Sequence, residues 1–197
     1  MANLLVYGSL EFGRVVRDLA IQCGHRFAGY IDDVHRGEEV LGPWEQVADR
    51  CPPPQFEVAV AVGYRNLGAR WDVYERVKAR GYRLPPLVHP RAYVRDPAGV
   101  GEGAIVMAGA IVDVAASIAP LVVIWPGAVV NHDSAVGENT FLSPNATVCG
   151  CVTIGRHVFV GAGATIVDHV EVPAGVFVKA GSLYRGPRDP SPGTPGP

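Results

Sequence analysis

Residues 130–165, VNHDSAVGENTFLSPNATVCGCVTIGRHVFVGAGAT, contain a repeat of six residues. Each hexad begins with Val, Ile or Leu, and the same register continues beyond the quoted stretch in both directions. From position 88 to position 178 the first residues of the hexads are Val88, Val94, Val100, Val106, Val112, Ile118, Ile124, Val130, Val136, Leu142, Val148, Ile154, Val160, Ile166, Val172 and Val178. The fifth residue of each hexad is small or β-branched, as in Ser134, Thr140 and Ala146. An aliphatic series this long does not arise from average composition.

A period of six separates this region from the common secondary structures, because an amphipathic helix repeats at about 3.6 residues and an ordinary strand at about 2. A large aliphatic residue with a small partner at this period is the pattern of hexapeptide β-helices. We expect the large residue to fill the axis of the coil and the small one to sit at the tight corner. Neighbouring coils should stack at about 4.8 Å, the strand spacing. The sequence therefore predicts a parallel β-helix over residues 86–183, with no long loop projecting from it.

The first half of the chain has a different pattern, in which short apolar runs alternate with amphipathic segments. The predicted strands and helices are NLLVY (3–7), RFAGYIDD (26–33), EVAVAV (57–62), and residues 13–24 and 68–82. This alternation predicts a small Rossmann-like parallel α/β domain over residues 1–85, which we expect to bind the substrate. Residues 43–55 are expected to be a Pro-rich connection. Residues 184–197 are rich in Pro, Gly and Ser and are expected to form a disordered tail.

The composition argues against several classes of protein. The formal net charge is only -2, whereas a nucleic-acid-binding face would need a basic surface. No apolar run is long enough for a transmembrane helix and the N-terminus has no signal-peptide pattern, so we expect no membrane partner and a cytoplasmic location. The four cysteines lack the spacing of a zinc site and are expected to be free thiols in a reducing compartment.

The turn GSLEFGR (8–14), between the first strand and the first helix, is a candidate cradle for an anion or a nucleotide. Such a turn points backbone N–H groups at a ligand. Asp32 and Asp33 end the second strand, near where an acid meets a ribose hydroxyl in dinucleotide sites. The turn lacks the middle glycine of G-x-G-x-x-G, and Arg14 stands in place of the lysine of a Walker A loop. A tight turn without a ligand is an equal alternative.

The combination of these two halves resembles the sugar acyltransferases of the sialic-acid O-acetyltransferase type. Within that type it is most similar to the bacterial nucleotide-amino-sugar N-acetyltransferases that make bacillosamine and perosamine. The segments that carry the resemblance are GYIDD (29–33), AVGYRNLGAR (61–70), LVHPRAYV (87–94) and residues 129–166. The resemblance implies a left-handed β-helix of about five coils. It also implies a homotrimer with active sites between subunits, acetyl-CoA as the acyl donor and a sugar, nucleotide-linked, as the acceptor.

The same resemblance implies roles for particular residues. The histidine that matches His132 is the catalytic base of that family, and the acid after it, here Asp133, orients and polarises it. The positions that match the acetyl-CoA contacts are Gly150, at the thioester carbonyl, and Gly161, Ala162 and Ala180, along the pantetheine arm and the nucleotide end. The positions assigned to the acceptor are Gly8, Gly13, Arg14, Asp32, Asp33 and Asn131.

The chemistry fits these residue types independently of the resemblance. Acetyl transfer to an amine or a hydroxyl needs a group that removes the acceptor's proton, and histidine titrates near neutral pH. A carboxylate beside it fixes the tautomer and stabilises the imidazolium that forms. A backbone N–H can donate a hydrogen bond to the negatively charged oxygen of the tetrahedral intermediate and so stabilise it. Direct transfer needs no acyl-enzyme, so neither Cys149 nor Cys151 is assigned as a nucleophile, and no metal is expected.

The sequence departs from the family's pattern at several positions. Phe12 stands where many members have a histidine that contacts the nucleotide sugar, and Leu10 and Glu11 replace small residues of the same turn. The other replacements are Trp125 for an asparagine, Asn131 for an acid and Phe141 for a second histidine. We expect the changes at 125, 131 and 141 to make the acceptor pocket more apolar. The G-x-P-A motif that closes the coils in the family is absent.

Two other functions remain open at this point. His132, His157 and His169 all lie in the coils, so a metal-dependent lyase of the β-helical carbonic anhydrase type is one alternative. The frame of the repeat puts these histidines on different faces or coils, so one chain cannot gather them around one ion. The second alternative is a non-catalytic trimeric scaffold, a degenerate member of the family. Metal analysis and CoA binding would separate these alternatives from the acyltransferase.

Overall fold

The computed structural model describes residues 3–53 and 55–186. The elements of the first part are β1 (Asn3–Tyr7), α1 (Glu11–Gln22), β2 (Arg26–Ile31), β3 (Val40–Gly42), α2 (Trp44–Arg50), β4 (Phe56–Val60), a 3₁₀ turn (Tyr64–Asn66) and α3 (Leu67–Ala79). The four strands form one parallel sheet in the order β3-β2-β1-β4. This arrangement is the small parallel α/β domain that the sequence predicts.

The connection predicted for residues 43–55 was wrong, because Trp44–Arg50 forms the helix α2. Pro43 stands directly before this helix, where a proline is tolerated because no intrahelical partner for its nitrogen is needed. Trp44, Val47 and Ala48 are buried at helical spacing, and this was the signal in the sequence. The N–H of Trp44 donates to Asp33 Oδ1 at 2.8 Å, which attaches the start of α2 to the end of β2.

The second part of the chain is a parallel β-helix whose strands have two residues each. Face 1 consists of β5 (Leu87–Val88), β7 (Ile105–Val106), β10 (Val123–Ile124), β13 (Phe141–Leu142), β16 (Phe159–Val160) and β19 (Phe177–Val178). Face 2 consists of β6 (Tyr93–Val94), β8 (Ile111–Val112), β11 (Val129–Val130), β14 (Thr147–Val148), β17 (Thr165–Ile166) and β20 (Leu183–Tyr184). Face 3 consists of β9 (Ser117–Ile118), β12 (Ala135–Val136), β15 (Thr153–Ile154) and β18 (Glu171–Val172), and a 3₁₀ turn (Pro97–Gly99) precedes its first strand.

Three hexads make one coil, so equivalent positions of consecutive coils are 18 residues apart, as for Ser134 and Val152. The fold class is therefore the predicted one: a small parallel α/β domain followed by a left-handed parallel β-helix. The last strand includes Tyr184, one residue beyond the predicted end of the coils. The rest of the predicted tail, 187–197, lies outside the described residues.

The tight position of each corner is the fourth residue of the hexad, not the fifth as expected. In every hexad from the one that contains Gly103 to the one that contains Gly181, the fourth residue has a positive φ, between 56° and 74°. Glycine, asparagine and aspartate tolerate this left-handed region best, and all three occur there. The small fifth residue instead points into the core, where Ala104, Ala128 and Ala164 are fully buried. Asp133 is thus a corner residue with φ 57°, and its position requires a residue that tolerates the left-handed backbone conformation.

The α/β domain packs directly on face 1. The outward residues Leu87, Ile105, Val123 and Phe141 of this face belong to one buried cluster with residues of β1, β4 and α1. The equivalent residue Ile111 on face 2 is exposed instead. The fully buried Arg70 of α3 also joins the two parts, because its Nη1 donates to the carbonyl oxygen of Leu121 at 2.5 Å and to Asn139 Oδ1 at 2.6 Å.

No helix in the described part of the chain combines the length and apolar character needed to cross a membrane.

Candidate active site

His132 and Asp133 form a pair at the corner between faces 2 and 3. Asp133 Oδ2 lies 2.9 Å from His132 Nδ1, and the two side chains are 53% and 60% exposed. A neutral imidazole that donates its Nδ1–H to this carboxylate has its lone pair on Nε2. The pair therefore has the arrangement of a general base whose tautomer is fixed by an acid.

Gly150, at the same corner of the next coil, lies against the His132 ring. A Cβ atom at position 150 would stand 2.6 Å from both Cε1 and Nε2 of the imidazole, closer than any ordinary van der Waals contact. Only a glycine lets the ring lie in this position. The backbone N–H of Gly150 donates no hydrogen bond to another described residue. A free backbone donor and the Nε2 atom of His132 thus lie close together.

The residues on either side of the pair fasten its turn to the coil below. Asn131 Nδ2 donates to the carbonyl oxygen of Val148 at 3.0 Å. Ser134 Oγ donates to the carbonyl oxygen of Cys149 at 2.8 Å and accepts the N–H of Val152 at 3.1 Å. Asn131, a predicted acceptor contact, therefore uses its amide nitrogen to hold the turn that carries His132.

Cys151 also belongs to this corner, a placement that the sequence did not predict. One ligand atom from each of His132, Asp133 and Cys151 lies within 4.8 Å of the others. Cys151 occupies the position of Asp133 one coil later, with φ 57° in both cases. The coil length would have identified it once the corner position was known. Among the described residues this is the one such group of potential metal ligands, and it includes neither His157 nor His169.

The other two coil histidines have different surroundings. His157 Nδ1 lies 2.8 Å from Asn139 Nδ2, and its Nε2 lies 2.9 Å from Arg156 Nη2. Burial, and next the charge of Arg156, lower the pKa of His157. His169 Nδ1 lies 3.0 Å from Asp168 Oδ2, and this pair is 74% and 71% exposed. Asp168 and His169 are thus a second His–Asp pair in the same column of corners, but with the two residue types exchanged: His169, with φ 58°, stands at the position of Asp133.

A cavity of about 800 Å³ lies where the α/β domain meets face 1. It opens at the carboxyl ends of β1, β2 and β4, where ligands bind in open parallel sheets. The residues that line it include Gly8, Ser9, Glu11, Phe12, Asp32, Asp33, His35, Tyr64, Arg65, Trp125 and Phe141. None of the residues 131–133 lines this cavity, so within one chain the His132–Asp133 pair and the cavity are separate features.

The carboxylates of Asp32 and Asp33, which follow β2, both accept hydrogen bonds from other residues of the chain. Asp32 Oδ2 accepts from Ser9 Oγ at 2.5 Å and from the Ser9 N–H, and Oδ1 accepts the N–H groups of Val34 and His35. Burial raises the pKa of Asp32, but these hydrogen bonds outweigh it and hold the pKa well below the usual range. Asp33 Oδ2 accepts from Tyr7 Oη at 2.6 Å and lies 3.4 Å from Arg76 Nη1. Both carboxylates therefore shape the cavity edge.

The glycines of the first turn allow close backbone packing. Gly8 has φ 112°, and a Cβ there would lie 2.8 Å from the carbonyl oxygen of Ala61. A Cβ at Gly13 would collide with the carbonyl oxygen of Gly8. Arg14 does not line the large cavity but a neighbouring one of about 480 Å³, together with Arg17 and Arg36. Of the turn residues predicted to contact the acceptor, only Gly8 lines the main cavity.

Three of the departures from the family's pattern lie together as an aromatic wall. The ring centroid of Phe12 is 5.8 Å from that of Trp125 and 5.8 Å from that of Phe141, and the latter two are 6.2 Å apart. Tyr64 adds a fourth ring, 5.5 Å from Phe141. The wall makes one side of the cavity apolar.

The positions assigned to acetyl-CoA lie at two corners. Gly161, Ala162 and Ala180 belong to the corner between faces 1 and 2, where a Cβ at Gly161 would collide with the backbone nitrogen of Ala180. The N–H of Gly181 donates to the carbonyl oxygen of Ala162 at 2.8 Å. Gly150 lies at the corner between faces 2 and 3, with His132. The small residues let adjacent coils approach closely at both places.

Comparisons with known proteins agree with this architecture. Residues 133–168 match the family model described as bacterial transferase hexapeptide (six repeats). The acetyltransferase domain of PglB from Neisseria gonorrhoeae is 30% identical over 94% of this chain and 92% of that chain, with a TM-score of 0.85. The same domain in complex with acetyl coenzyme A gives 29% identity, 92% of each chain and a TM-score of 0.81.

A second relative is PerB from Caulobacter crescentus in complex with CoA and GDP-perosamine. It is 28% identical over 94% of this chain and 90% of that chain, with a TM-score of 0.85. No curated protein sequence matches the chain. The period-six coils, the His132–Asp133 pair and these likenesses define the class, a hexapeptide-repeat acyltransferase. More narrowly, the chain belongs to the sugar acetyltransferases of the bacillosamine and perosamine type.

Proposed function

We propose that the protein is an acetyl-CoA-dependent acetyltransferase that acetylates the amino group, or a hydroxyl, of a nucleotide-linked sugar. The relatives crystallised with acetyl-CoA, and with CoA and GDP-perosamine, support the donor and the class of acceptor. The observation that carries the proposal is the His132–Asp133 pair, whose ring lies on Gly150.

The proposed mechanism is direct transfer. Nε2 of His132 takes the proton of the acceptor nitrogen or oxygen as that atom attacks the thioester carbonyl carbon. Asp133 holds the reactive tautomer and stabilises the imidazolium. The N–H of Gly150 donates to the oxygen of the tetrahedral intermediate. The C–S bond then breaks, and the imidazolium returns the proton to the CoA sulfur.

The acceptor is proposed to occupy the large cavity, with its sugar against the aromatic wall. We propose that Gly8, Asp32 and Asp33 form the edge of this cavity against the acceptor. Gly13 is proposed to allow the close packing of the turn after β1. Arg14 is proposed to reach an anionic part of the acceptor in the neighbouring cavity. Asn131 is proposed to position the base, and Gly161, Ala162 and Ala180 to line the path of CoA.

The separation of the base from the cavity within one chain supports a homotrimer with active sites between subunits. In such an assembly His132 of one subunit would face the acceptor held by another. Sedimentation should give a mass three times the 20.9 kDa of the chain, and a monomeric active enzyme would overturn this part of the proposal. We further propose a cytoplasmic location, because acetyl-CoA and nucleotide sugars are available there.

The central experiment compares His132→Ala with His169→Ala. Thioester absorbance is followed with acetyl-CoA and a panel of UDP-, GDP- and dTDP-linked amino sugars. Loss of a general base should lower turnover about 10²- to 10⁴-fold in His132→Ala. His169→Ala removes the histidine of a second, more exposed His–Asp pair and should keep normal turnover. Equal turnover in both variants would contradict the mechanism. No calorimetric binding of CoA would instead favour a scaffold.

A further inference from the structure

The corner between faces 2 and 3 brings together an imidazole, a carboxylate and a thiol. One ligand atom from each of His132, Asp133 and Cys151 lies within 4.8 Å of the other two. We propose that this group binds a Zn²⁺-like transition-metal ion, and that the bound ion reversibly switches off the base. The ion is an inhibitor, not a cofactor. The regulatory part rests on the proposed function, whereas the binding part does not.

The coil geometry explains why these residues meet. Cys151 donates its backbone N–H to the carbonyl oxygen of His132 at 3.0 Å, so the two turns are directly stacked. Asp133 and Cys151 both have φ 57° and occupy equivalent corners, so their side chains leave the backbone in the same direction. Gly150 adds no side chain between the ring and Cys151. The stacked backbone therefore fixes the three ligands on one edge of the β-helix.

The spacing suits a small tetrahedral ion after minor side-chain movement. Zn²⁺ binds nitrogen, oxygen and sulfur at about 2.0–2.3 Å, which places the ligand atoms of a tetrahedral site about 3.3–3.8 Å apart. The His132 and Asp133 side chains are 53% and 60% exposed, so rotation can close the difference from 4.8 Å. The same exposure leaves the fourth coordination position open to water.

The ligand types select the class of metal. Thiolate and imidazole favour Zn²⁺, Co²⁺, Ni²⁺ and Cu²⁺ over the hard ions Mg²⁺ and Ca²⁺, which prefer oxygen. Thiolate and carboxylate together carry two negative charges, which balance a divalent ion. Zn²⁺ binding to Cys151 releases the thiol proton to solvent, and no electron transfer is involved.

Metal binding and general-base catalysis exclude each other at this corner. An imidazole nitrogen bound to the ion cannot accept the proton of the acceptor, and a carboxylate bound to the ion no longer orients the ring. We therefore expect micromolar-range zinc to inhibit turnover and a chelator to restore it. Cys151 has a role only in binding the ion and none in the proposed reaction, so replacing it should weaken zinc inhibition at least tenfold while leaving turnover intact.

The experiment uses the full chain after treatment with EDTA and desalting. Co²⁺ is titrated as a spectroscopic probe, and a thiolate-to-Co²⁺ charge-transfer band with 1:1 stoichiometry that Zn²⁺ displaces is expected. Cys151→Ser should lose the band, and Cys149→Ser, a matched change two residues away outside the group, should keep it. His132→Ala should also weaken the band. The absence of a band in the unaltered protein, or an equal band in Cys151→Ser, would overturn the site.

Turnover provides the second readout. The Zn²⁺ concentration for half inhibition should rise at least tenfold in Cys151→Ser and remain unchanged in Cys149→Ser. Equal zinc sensitivity in Cys151→Ser and the unaltered protein would overturn the switch. A Cys151-dependent band in a protein without acetyltransferase activity would uphold the metal site while refuting the proposed function. Full acetyltransferase activity in a protein without the band would uphold the proposed function and refute the metal site.

Discussion

Replacing Gly150 by alanine tests the contact on which the candidate site depends. The new Cβ would stand 2.6 Å from Cε1 and Nε2 of His132, whereas carbon atoms in contact prefer about 3.5–4.0 Å. The ring must therefore withdraw by about 1 Å, and a displacement of that size can cost about 10²-fold in rate. This factor corresponds to about 2.7 kcal/mol of transition-state stabilisation.

Alanine keeps the backbone N–H of residue 150, so the variant separates displacement of the ring from loss of the proposed oxyanion donor. Gly150 is not among the residues with positive φ, so alanine adds no backbone strain there. His132 is 53% exposed and can turn toward solvent. The free energy of unfolding should therefore change by no more than about 0.5 kcal/mol.

The assay measures kcat and KM for Gly150→Ala, His132→Ala and the double variant, with thermal unfolding of each. We expect Gly150→Ala to lower kcat about 10²-fold in the unaltered background and to have little further effect when His132 is already alanine. Normal kcat in Gly150→Ala would refute the reasoning. An equal loss in both backgrounds would also refute it, because the effect would then not pass through the imidazole.

Three further predictions concern the acid of the pair, the cavity edge and the aromatic wall. Asp133→Asn should lower kcat by about 10²- to 10⁴-fold without changing the melting temperature, because Asn tolerates φ 57° but does not stabilise the imidazolium; a normal kcat would contradict the pairing. The pKa of Asp32 in the folded protein lies below its ordinary 3.8, so the ionised carboxylate contributes stability that is lost as pH falls through the folded-state pKa. The free energy of unfolding of Asp32→Asn, measured with urea, should therefore depend less on pH below about 5 than that of the unaltered protein. An equal pH dependence of the two proteins in this acid range would contradict the prediction. Phe12→Leu should raise KM for the acceptor about 5- to 10-fold with a smaller change in kcat, because the acceptor loses an aromatic face on which to stack. An effect confined to kcat would show that the aromatic wall does not hold the acceptor.

Much of the fold could be predicted because the period-six pattern acts at every hexad. Val130, Val136 and Leu142 keep their interior register through the stretch that carries the polar residues, so the coils follow from the sequence alone. The position of the tight corner did not follow, because Leu121, His157 and other poor left-handed formers obscure the glycine and asparagine signal. Helix α2 was missed because prolines border it on both sides.

The candidate site was predictable only in part. His132 and Asp133 are neighbours in sequence, so their pairing needed no knowledge of the coil. The contact with Cys151 depends on the stacking of coils 18 residues apart and on the corner position. The spacing alone did not reveal which of the two cysteines would lie near His132. The hydrogen bonds that Ser9 donates to Asp32 join two segments 23 residues apart, and no sequence pattern encodes that contact.

The shared core between the α/β domain and face 1 has a consequence for exchanging domains between enzymes of this type. Four outward side chains of face 1, Leu87, Ile105, Val123 and Phe141, are almost fully buried under the domain. Burying four such side chains contributes on the order of 6–12 kcal/mol. A chimera joined near residue 85 would set this strip against a foreign surface, and a β-helix expressed alone would present it to solvent as an aggregation site. If the acceptor binds in the proposed cavity, its recognition depends on the α/β domain and on face 1 together, so a domain exchange that transfers acceptor specificity must include both.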